Sequence, residues 1–568
     1  MKIRVADYIV NFLIEKDIRD IFVLTGFGAM YLNDAIVNQP KLRYFCVRNE
    51  AASPMMAEAY ARVKKTPGAV CLTAGPGSTN AVPGLAEAWV DSAPVIVISG
   101  QVEKKETTNF LNIPGLRTFG TAEINIVPVV KSLTKYAVMV KNPNSIRYHL
   151  EKAYYLATTG RPGPVWIDVP QDVQYALIDP RNLDGFKPKK VIQKNKRGFS
   201  SNKTLDNQLK QLLSLLQKSK KPIIFAGNGI KLSNSTSEFK SLINKLKIPV
   251  VPTRLGIDIL PFSHPLNMGL GGIKGTRHSK KLTKQADLII SLGARLAVPF
   301  MGSNNDLVSK HAKIVAVDIE KSELEKHKSI INLKINSDLA VFLKEMNKKL
   351  VNSHLPDRGA WLKSAQQLKA DHGIENINFK KNPLDLYFFM SKLDFVSPNG
   401  SILITDAGSN YYVAGQVYRF ERGQVEVTSA TFAAMGLSIP LAIGASVAKK
   451  GKVLAVTGDG SLELNIQELK TMSYYNLDIK LFVINNNGYL SMRNWQDSYF
   501  QGRRIGSDDN TGAPILNLKN VAKAFDLNYE IIDDYKNIDS KLKRIVGKTG
   551  PLFVEVICDS NQRIISPE

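Results

Sequence analysis

Cysteine is nearly absent from this chain, with three residues in 568. Cys46, Cys71 and Cys558 each lie in an apolar, strand-like run. That placement excludes a disulfide-stapled scaffold and fits packing in a reducing compartment. Long hydrophobic runs are missing as well: no apolar stretch reaches the length that spans a bilayer. The opening segment MKIRVADYIVNFLIEKDI interleaves charged and apolar residues. It lacks the unbroken apolar core of a signal peptide and is expected to form a helix of the mature fold. A cytoplasmic protein with no membrane partner is the expectation. Acidic residues are few beside basic ones, 51 against 75, giving a net charge of +24. Such an excess raises nucleic-acid binding as a function. The lysines, however, are spread out, with mild concentrations at 187–196, 218–221 and 240–247, and no aromatic residues are interleaved with them. No nucleic-acid-binding motif accompanies them, so a solvated basic surface that attracts anionic substrates is the better account.

What is present is a threefold βα rhythm. The length suggests about three or four domains. Residues 1–178 carry IFVLTG, AVCLTAG, VIVISG and VWIDVP between helical patterns. Residues 206–350 carry PIIFAGNG, IPVVPTR, ADLIISLGAR and KIVAVDI, and residues 381–568 carry SILITDAG, QVEVTSA, KVLAVTGDG, LFVINNNG and PLFVEVI. Polar, lysine-rich sequence over about 179–205 and a second stretch over about 351–380 read as linkers. Short apolar strands alternating with helices predict an α/β fold of three doubly wound parallel-sheet domains.

The most specific pattern is Gly458-Asp459-Gly460, followed about two dozen residues later by Asn485-Asn486. VLAVT and LFVI read as neighbouring buried strands joined by a crossover helix. Asp459 and Asn486 then meet at two strand tips on one sheet edge. A carboxylate, an amide oxygen and main-chain carbonyls are hard oxygen ligands suited to Mg²⁺.

This segment resembles the thiamine diphosphate (ThDP) fingerprint, and the order of the three segments resembles the acetolactate synthase superfamily over essentially the full length. The resemblance implies a pyrimidine-binding domain, a central domain and a diphosphate-binding domain. It implies Mg²⁺ held by Asp459, Asn486 and the main chain of Gly488. It implies a cofactor cradle that includes Ala407, Gly408, Ser409, Asn410, Gly460, Ser461 and Tyr489. RNEAASPMMAEAYAR resembles the segment carrying the superfamily's catalytic glutamate, which makes Glu50 the expected catalytic residue. A carboxyl group in a dry pocket can share a proton with a cofactor ring nitrogen. The main-chain carbonyl of Ala433 and the side chain of Met435, in AAMG, are expected against the cofactor rings. TAGPGSTN, from Gly75 to Asn80, is expected near a partner subunit's cofactor, implying a homodimer or homotetramer.

Two features depart from the acetolactate synthase pattern. The segment after Gly100-Gln101-Val102 has extra residues, and Ala122 stands where an active-site glutamine would fall. Thr25–Met30 and Arg503–Asp508 are more similar to ThDP enzymes that modify sugars. Trp495 matches the offset of an acceptor-pocket tryptophan, so Trp495 and Ala122 are the acceptor-pocket candidates. In the central domain, PTRLG, GGIKGT, Gly293-Ala294-Arg295 and Asp318 resemble flavin-binding segments, with Lys274 in place of a histidine. FAD, an adenine nucleotide and a vestigial cleft remain three readings. The expected activity is ThDP-dependent decarboxylation of a 2-oxo acid, pyruvate first, with acyl transfer to a carbonyl acceptor. A second 2-oxo acid leads as acceptor, a keto-sugar follows, and a non-ligating decarboxylase is the further alternative.

Overall fold

The computed structural model describes residues 1–188 and 202–565. Much of the lysine-rich segment 187–196 and of the expected 179–205 linker therefore lies outside the described residues. Among the described residues, three parallel sheets organise the chain. The first contains β1 (Asp20–Val23), β2 (Arg43–Cys46), β3 (Gly68–Leu72), β4 (Val95–Gln101), β5 (Tyr136–Met139) and β6 (Val165–Pro170), in the order β2-β1-β3-β4-β6-β5. The second contains β7 (Pro222–Ala226), β8 (Val250–Pro252), β9 (Leu288–Leu292), β10 (Lys313–Asp318) and β11 (Ile331–Asn336), in the order β8-β7-β9-β10-β11. The third contains β12 (Ile402–Thr405), β13 (Val425–Val427), β14 (Val453–Gly458), β15 (Ile479–Asn485), β16 (Tyr529–Ile532) and β17 (Leu552–Ile557). Its order, β13-β12-β14-β15-β17-β16, repeats that of the first sheet. A two-residue antiparallel ribbon, Ile3–Arg4 with Leu177–Ile178, ties the two ends of the first unit.

Central strands such as β3, β4, β9 and β15 are buried along nearly their whole length, as a sheet covered by helices on both faces requires. The α/β class expected from the sequence is the one observed. The stretch read as a second linker differs: residues Gly359–Asp371 form a helix. It docks on the central unit, where Trp361 is buried and its indole N–H donates to the Pro222 carbonyl at 3.0 Å. Four residues of the first expected linker, 202–205, likewise begin the helix Asn202–Lys218.

The first and third units share one hydrophobic core, with Met55, Met56 and Tyr60 against Leu437, Ile439 and Ile443. The helices Ala52–Lys64 and Ser438–Ala448 cross there at close range. A Cβ on Gly444 would stand 2.0 Å from the Met56 carbonyl oxygen, so only glycine allows this approach. The crossing fixes the turn that precedes Ala52 relative to the third sheet. Among the described residues no helix is long and apolar enough to cross a membrane.

Candidate functional site

β14 and β15 are adjacent and in register, Gly458 opposite Ile484, which sets Asp459 beside the Asn485-Asn486 tip. The chain leaves β14 directly into a helical turn, Asp459–Leu462. Asp459 is 4% exposed. Its Oδ2 accepts from the backbone N–H groups of Asn486, 3.1 Å, and Gly488, 2.9 Å, and its Oδ1 from Gly460, 2.8 Å. Burial pushes the Asp459 carboxyl up, while those three backbone donors pull it down. A carboxylate oxygen has lone pairs beyond these bonds, so the group can still take a cation.

A second buried carboxylate organises the neighbouring loop. Asp406 accepts from the Ser461 hydroxyl at 2.6 Å, the Thr457 hydroxyl at 2.8 Å, the Asn410 amide at 3.1 Å and the Ala407 N–H at 2.8 Å. Gly408 then turns with φ +77°, which a side chain would resist, and opens the helix Ser409–Val417. Beneath Tyr489, a Cβ on Gly460 would lie 2.4 Å from the ring, so the two residues seat one on the other.

These loops enclose a cavity of about 230 Å³. Ala407, Gly408, Ser409, Asn410, Met435, Asp459, Gly460, Ser461, Asn486, Gly488 and Tyr489 all line it. Asn410 Oδ1 is buried there without a hydrogen-bond partner, a polar atom aimed at an absent donor. Met435 is 40% exposed at the rim, where a core methionine would be buried. Its segment is pinned by the Gly436 N–H donating to the Ser461 hydroxyl, 2.8 Å, and the Asn465 amide donating to the Gly436 carbonyl, 2.9 Å. Ala433, with φ +51°, and Trp495, Ala122 and Glu50 stand outside the cavity wall.

Glu50 occupies the turn before the helix Ala52–Lys64 and is partly exposed. Its Oε2 accepts from the Asn80 amide at 3.2 Å. The turn is anchored across the domain boundary by Glu468, whose Oε1 accepts from the N–H groups of Arg48, 2.8 Å, and Asn49, 2.9 Å. Sequence reasoning missed Glu468, although it shares the apolar face of its helix with Thr471 and Met472, an unusual place for an acid. It also missed Arg493, which is 4% exposed and donates to the carbonyls of Asn486 at 2.7 Å, Ser507 at 3.1 Å and Ser560 at 3.1 Å. No short-range pattern marks a side chain whose partners are main-chain oxygens of distant loops.

The central sheet edge opens into a larger cleft of about 420 Å³. All four segments singled out in the sequence line it, through Thr253 to Leu255, Gly271 to Lys274, Gly293 to Arg295, and Asp318. Burial pushes the Asp318 carboxyl up to about 6. Trp495 lies here, beside Tyr411 and Thr431, and not in the smaller cavity.

Two outer sheets of one topology, one bearing buried carboxylates at its strand tips, place the chain among the open α/β proteins that bind ligands at the carboxyl ends of their strands. Comparison with known proteins is specific. Residues 3–130 match the N-terminal TPP binding domain of thiamine pyrophosphate enzymes, 209–346 the central domain and 406–556 the C-terminal TPP binding domain. The acetolactate synthase large subunit of Lactococcus lactis subsp. lactis (strain IL1403) is 32% identical over 568 residues, covering 99% of this chain and 93% of that protein. That of Cyanidium caldarium is 29% identical over 564 residues, covering 98% and 93%, and the chloroplastic acetolactate synthase of Arabidopsis thaliana 28% over 578 residues, covering 99% and 82%. The chain belongs to the thiamine diphosphate-dependent enzymes of the acetolactate synthase superfamily. Its cofactor is thiamine diphosphate, the compound also called thiamine pyrophosphate.

Proposed function

We propose that this protein is a carboligase that removes CO₂ from a 2-oxo acid, pyruvate first, and transfers the remaining acyl unit to a carbonyl acceptor. The convergence of Asp459, Asn486 and Gly488 with the Asp406-organised loop around one cavity carries this reading. The cavity offers backbone donors and small polar side chains at a sheet edge, suited to a diphosphate. Mg²⁺ fits the donor set of Asp459, Asn486 and the Gly488 carbonyl, all oxygen. When bound, thiamine diphosphate supplies the electron sink for the carbon from which CO₂ departs.

The chain's own residues do the rest. Asp459 holds the Asn486 to Gly488 turn in place through its two backbone hydrogen bonds. Met435 stands at the cavity rim as an apolar support. Glu50, oriented by Asn80, supplies the carboxyl for proton exchange with the cofactor. Because Glu50 does not line its own chain's cavity, a second copy of the chain completes each site, making the working unit a homodimer or a pair of homodimers. Ala122 is the acceptor-side candidate that remains, since Trp495 lines the central cleft. A 2-oxo acid is the leading acceptor, and the replacement of an amide side chain by Ala122 favours a bulkier keto-sugar as the second.

The central cleft supports FAD as a further cofactor, since its three glycine- or arginine-bearing segments and Asp318 converge on a single groove. Protein purified without flavin absorbance, and unable to take up added FAD, would remove that assignment. For the activity, protein supplied with thiamine diphosphate and Mg²⁺ should release CO₂ from pyruvate. Glu50→Gln should slow release by about a hundredfold or more, the scale of a lost proton-transfer group. A wild type inert toward pyruvate and other 2-oxo acids would sink the proposal.

A further inference from the structure

Residues Thr107–Glu123 form a strap that leaves the sheet beyond β4 and returns to it, mostly exposed along its length. Thr107 and Glu123 are the exceptions, at 1% and 5% exposed. Glu123 Oε1 accepts from both the backbone N–H, 3.1 Å, and the hydroxyl, 2.9 Å, of Thr108, and its Oε2 accepts from the Phe119 N–H at 3.2 Å. A buried carboxylate costs several kcal/mol in desolvation unless donors meet it, and here three donors come from both limbs of the strap. Next to it, the Gln101 amide donates to the Ile124 carbonyl at 2.9 Å. Gln101 is itself held by the buried Asp168 at 3.3 Å, which also accepts from Ser99 at 2.6 Å. The strap is therefore closed at its base by two interior side chains, one on each side of the return.

The foot of the strap rests on the Gly75 turn, which lies beside Glu50 in space. Gly75, with φ +58°, lies so close that an added Cβ would be 2.1 Å from the Ala122 carbonyl oxygen. Two residues further on, a Cβ on Gly77 would reach 3.4 Å from Glu50 Oε1. Strap, turn and the Glu50 carboxyl are thus in unbroken contact. The opposite side of the strap turns Phe110, Ile113, Arg117 and Phe119 outward.

We propose that this strap is the acceptor-selecting element of the site, and that Glu123 and Gln101 are positioning residues which hold it against the Gly75 turn. The inference rests on the carboligase reading above. Once the bond to CO₂ breaks, the electron pair left on the acyl carbon has two outcomes. It forms a C–C bond to the acceptor carbonyl carbon, whose oxygen takes up a proton, or it takes a proton itself and an aldehyde leaves. A strap held in place favours the first by fixing the acceptor; a loosened strap leaves CO₂ release intact and shifts flux to the second.

The test feeds the holoenzyme pyruvate with increasing acceptor and reads CO₂, ligated product and acetaldehyde together. Glu123→Gln removes the acceptor for the Phe119 N–H, and Thr108→Val removes one donor from the other limb while keeping its backbone N–H. Both should keep CO₂ release within about twofold of wild type, lower the ratio of ligated product to aldehyde about tenfold and raise the acceptor KM. Thr108→Ser, which keeps both hydrogen bonds, should restore the wild-type ratio. If Glu123→Gln fails to fold, the Thr108 pair decides the matter alone. An unchanged ratio in the variants, or CO₂ release and ligation falling in equal proportion, overturns the strap's role while the carboligase reading stands. A wild type that releases no CO₂ overturns the carboligase reading, and this proposal with it.

Discussion

At the scale of single residues, the heaviest electrostatic load sits away from the cofactor cavity. Glu58, Glu87 and Asp91 bring carboxylate oxygens within 4.8 Å of one another in the interior, each buried. The guanidinium of Arg62 faces them, donating to Glu58 Oε1 at 3.0 Å and to the Thr428 carbonyl at 2.8 Å, and the charges of Arg295 and Arg161 also act on Asp91. Asp91 also accepts from the Ala430 N–H at 2.9 Å. Burial and then the charge of Asp91 push the Glu87 carboxyl up to about 7, against the pull of Ser429 and Arg62. A carboxyl whose folded pKa lies above its unfolded value stabilises the fold fully below the unfolded value, and that contribution is lost as pH rises through the folded one. Wild type should therefore lose stability between about pH 5 and about pH 8, on the order of 2 kcal/mol from this group. Glu87→Gln carries no titrating proton, so its melting temperature should overtake that of wild type as the pH is raised. Melting curves that keep a constant separation across that range would remove Glu87 as the cause.

At the scale of elements, legibility followed burial. Strands closed on both faces, such as β4 with VIVISGQ and β15 with IKLFVIN, announce themselves as unbroken apolar runs. Three edge strands, β5, β11 and β16, do not: only one or two of the residues in each are buried, and polar residues interrupt β11 and β16. The helix Gly359–Asp371 reads as linker for a similar reason, since only Trp361 and Ala365 are fully buried and lysines, glutamines and a serine separate its apolar residues. The candidate site divides along similar lines. Its cradle is legible because Asp459 and Asn486 sit at strand tips, where a short pattern fixes both the position and the direction of the chain. Glu468, Arg493 and Glu123 are not, because each acts on backbone groups that the fold alone brings near. Glu468 reaches Arg48 from more than four hundred positions away. Trp495 shows a third case: its offset from Asn486 was readable, but the helix Leu490–Phe500 turns it toward the central cleft.

At the scale of the whole molecule, the arrangement of two halves makes a demand that one chain does not meet. The turn carrying Glu50 is locked to the third unit of its own chain through Glu468 and through the Gly444 crossing, both rigid contacts. Glu50 is therefore not free to swing into the cavity lined by Asp459 and Met435. An exposed apolar face remains near that cavity, with Phe432 46%, Leu464 51% and Met492 49% exposed. A second copy related by a twofold axis would cover it and bring its own Glu50 to the opening, giving two equivalent sites per pair. Complementation tests this directly. Glu50→Gln and Asp459→Asn should each be nearly inactive alone, since one removes the carboxyl proposed for proton transfer and the other the carboxyl proposed to hold the metal. Co-expressed in equal amounts, about half of the pairs are mixed, and each mixed pair has one site with both residues intact. Activity should return to about a quarter of wild type, because half of the pairs then carry half of their sites. Sites confined to single chains would give no recovery at all, since every chain in the mixture carries a defect.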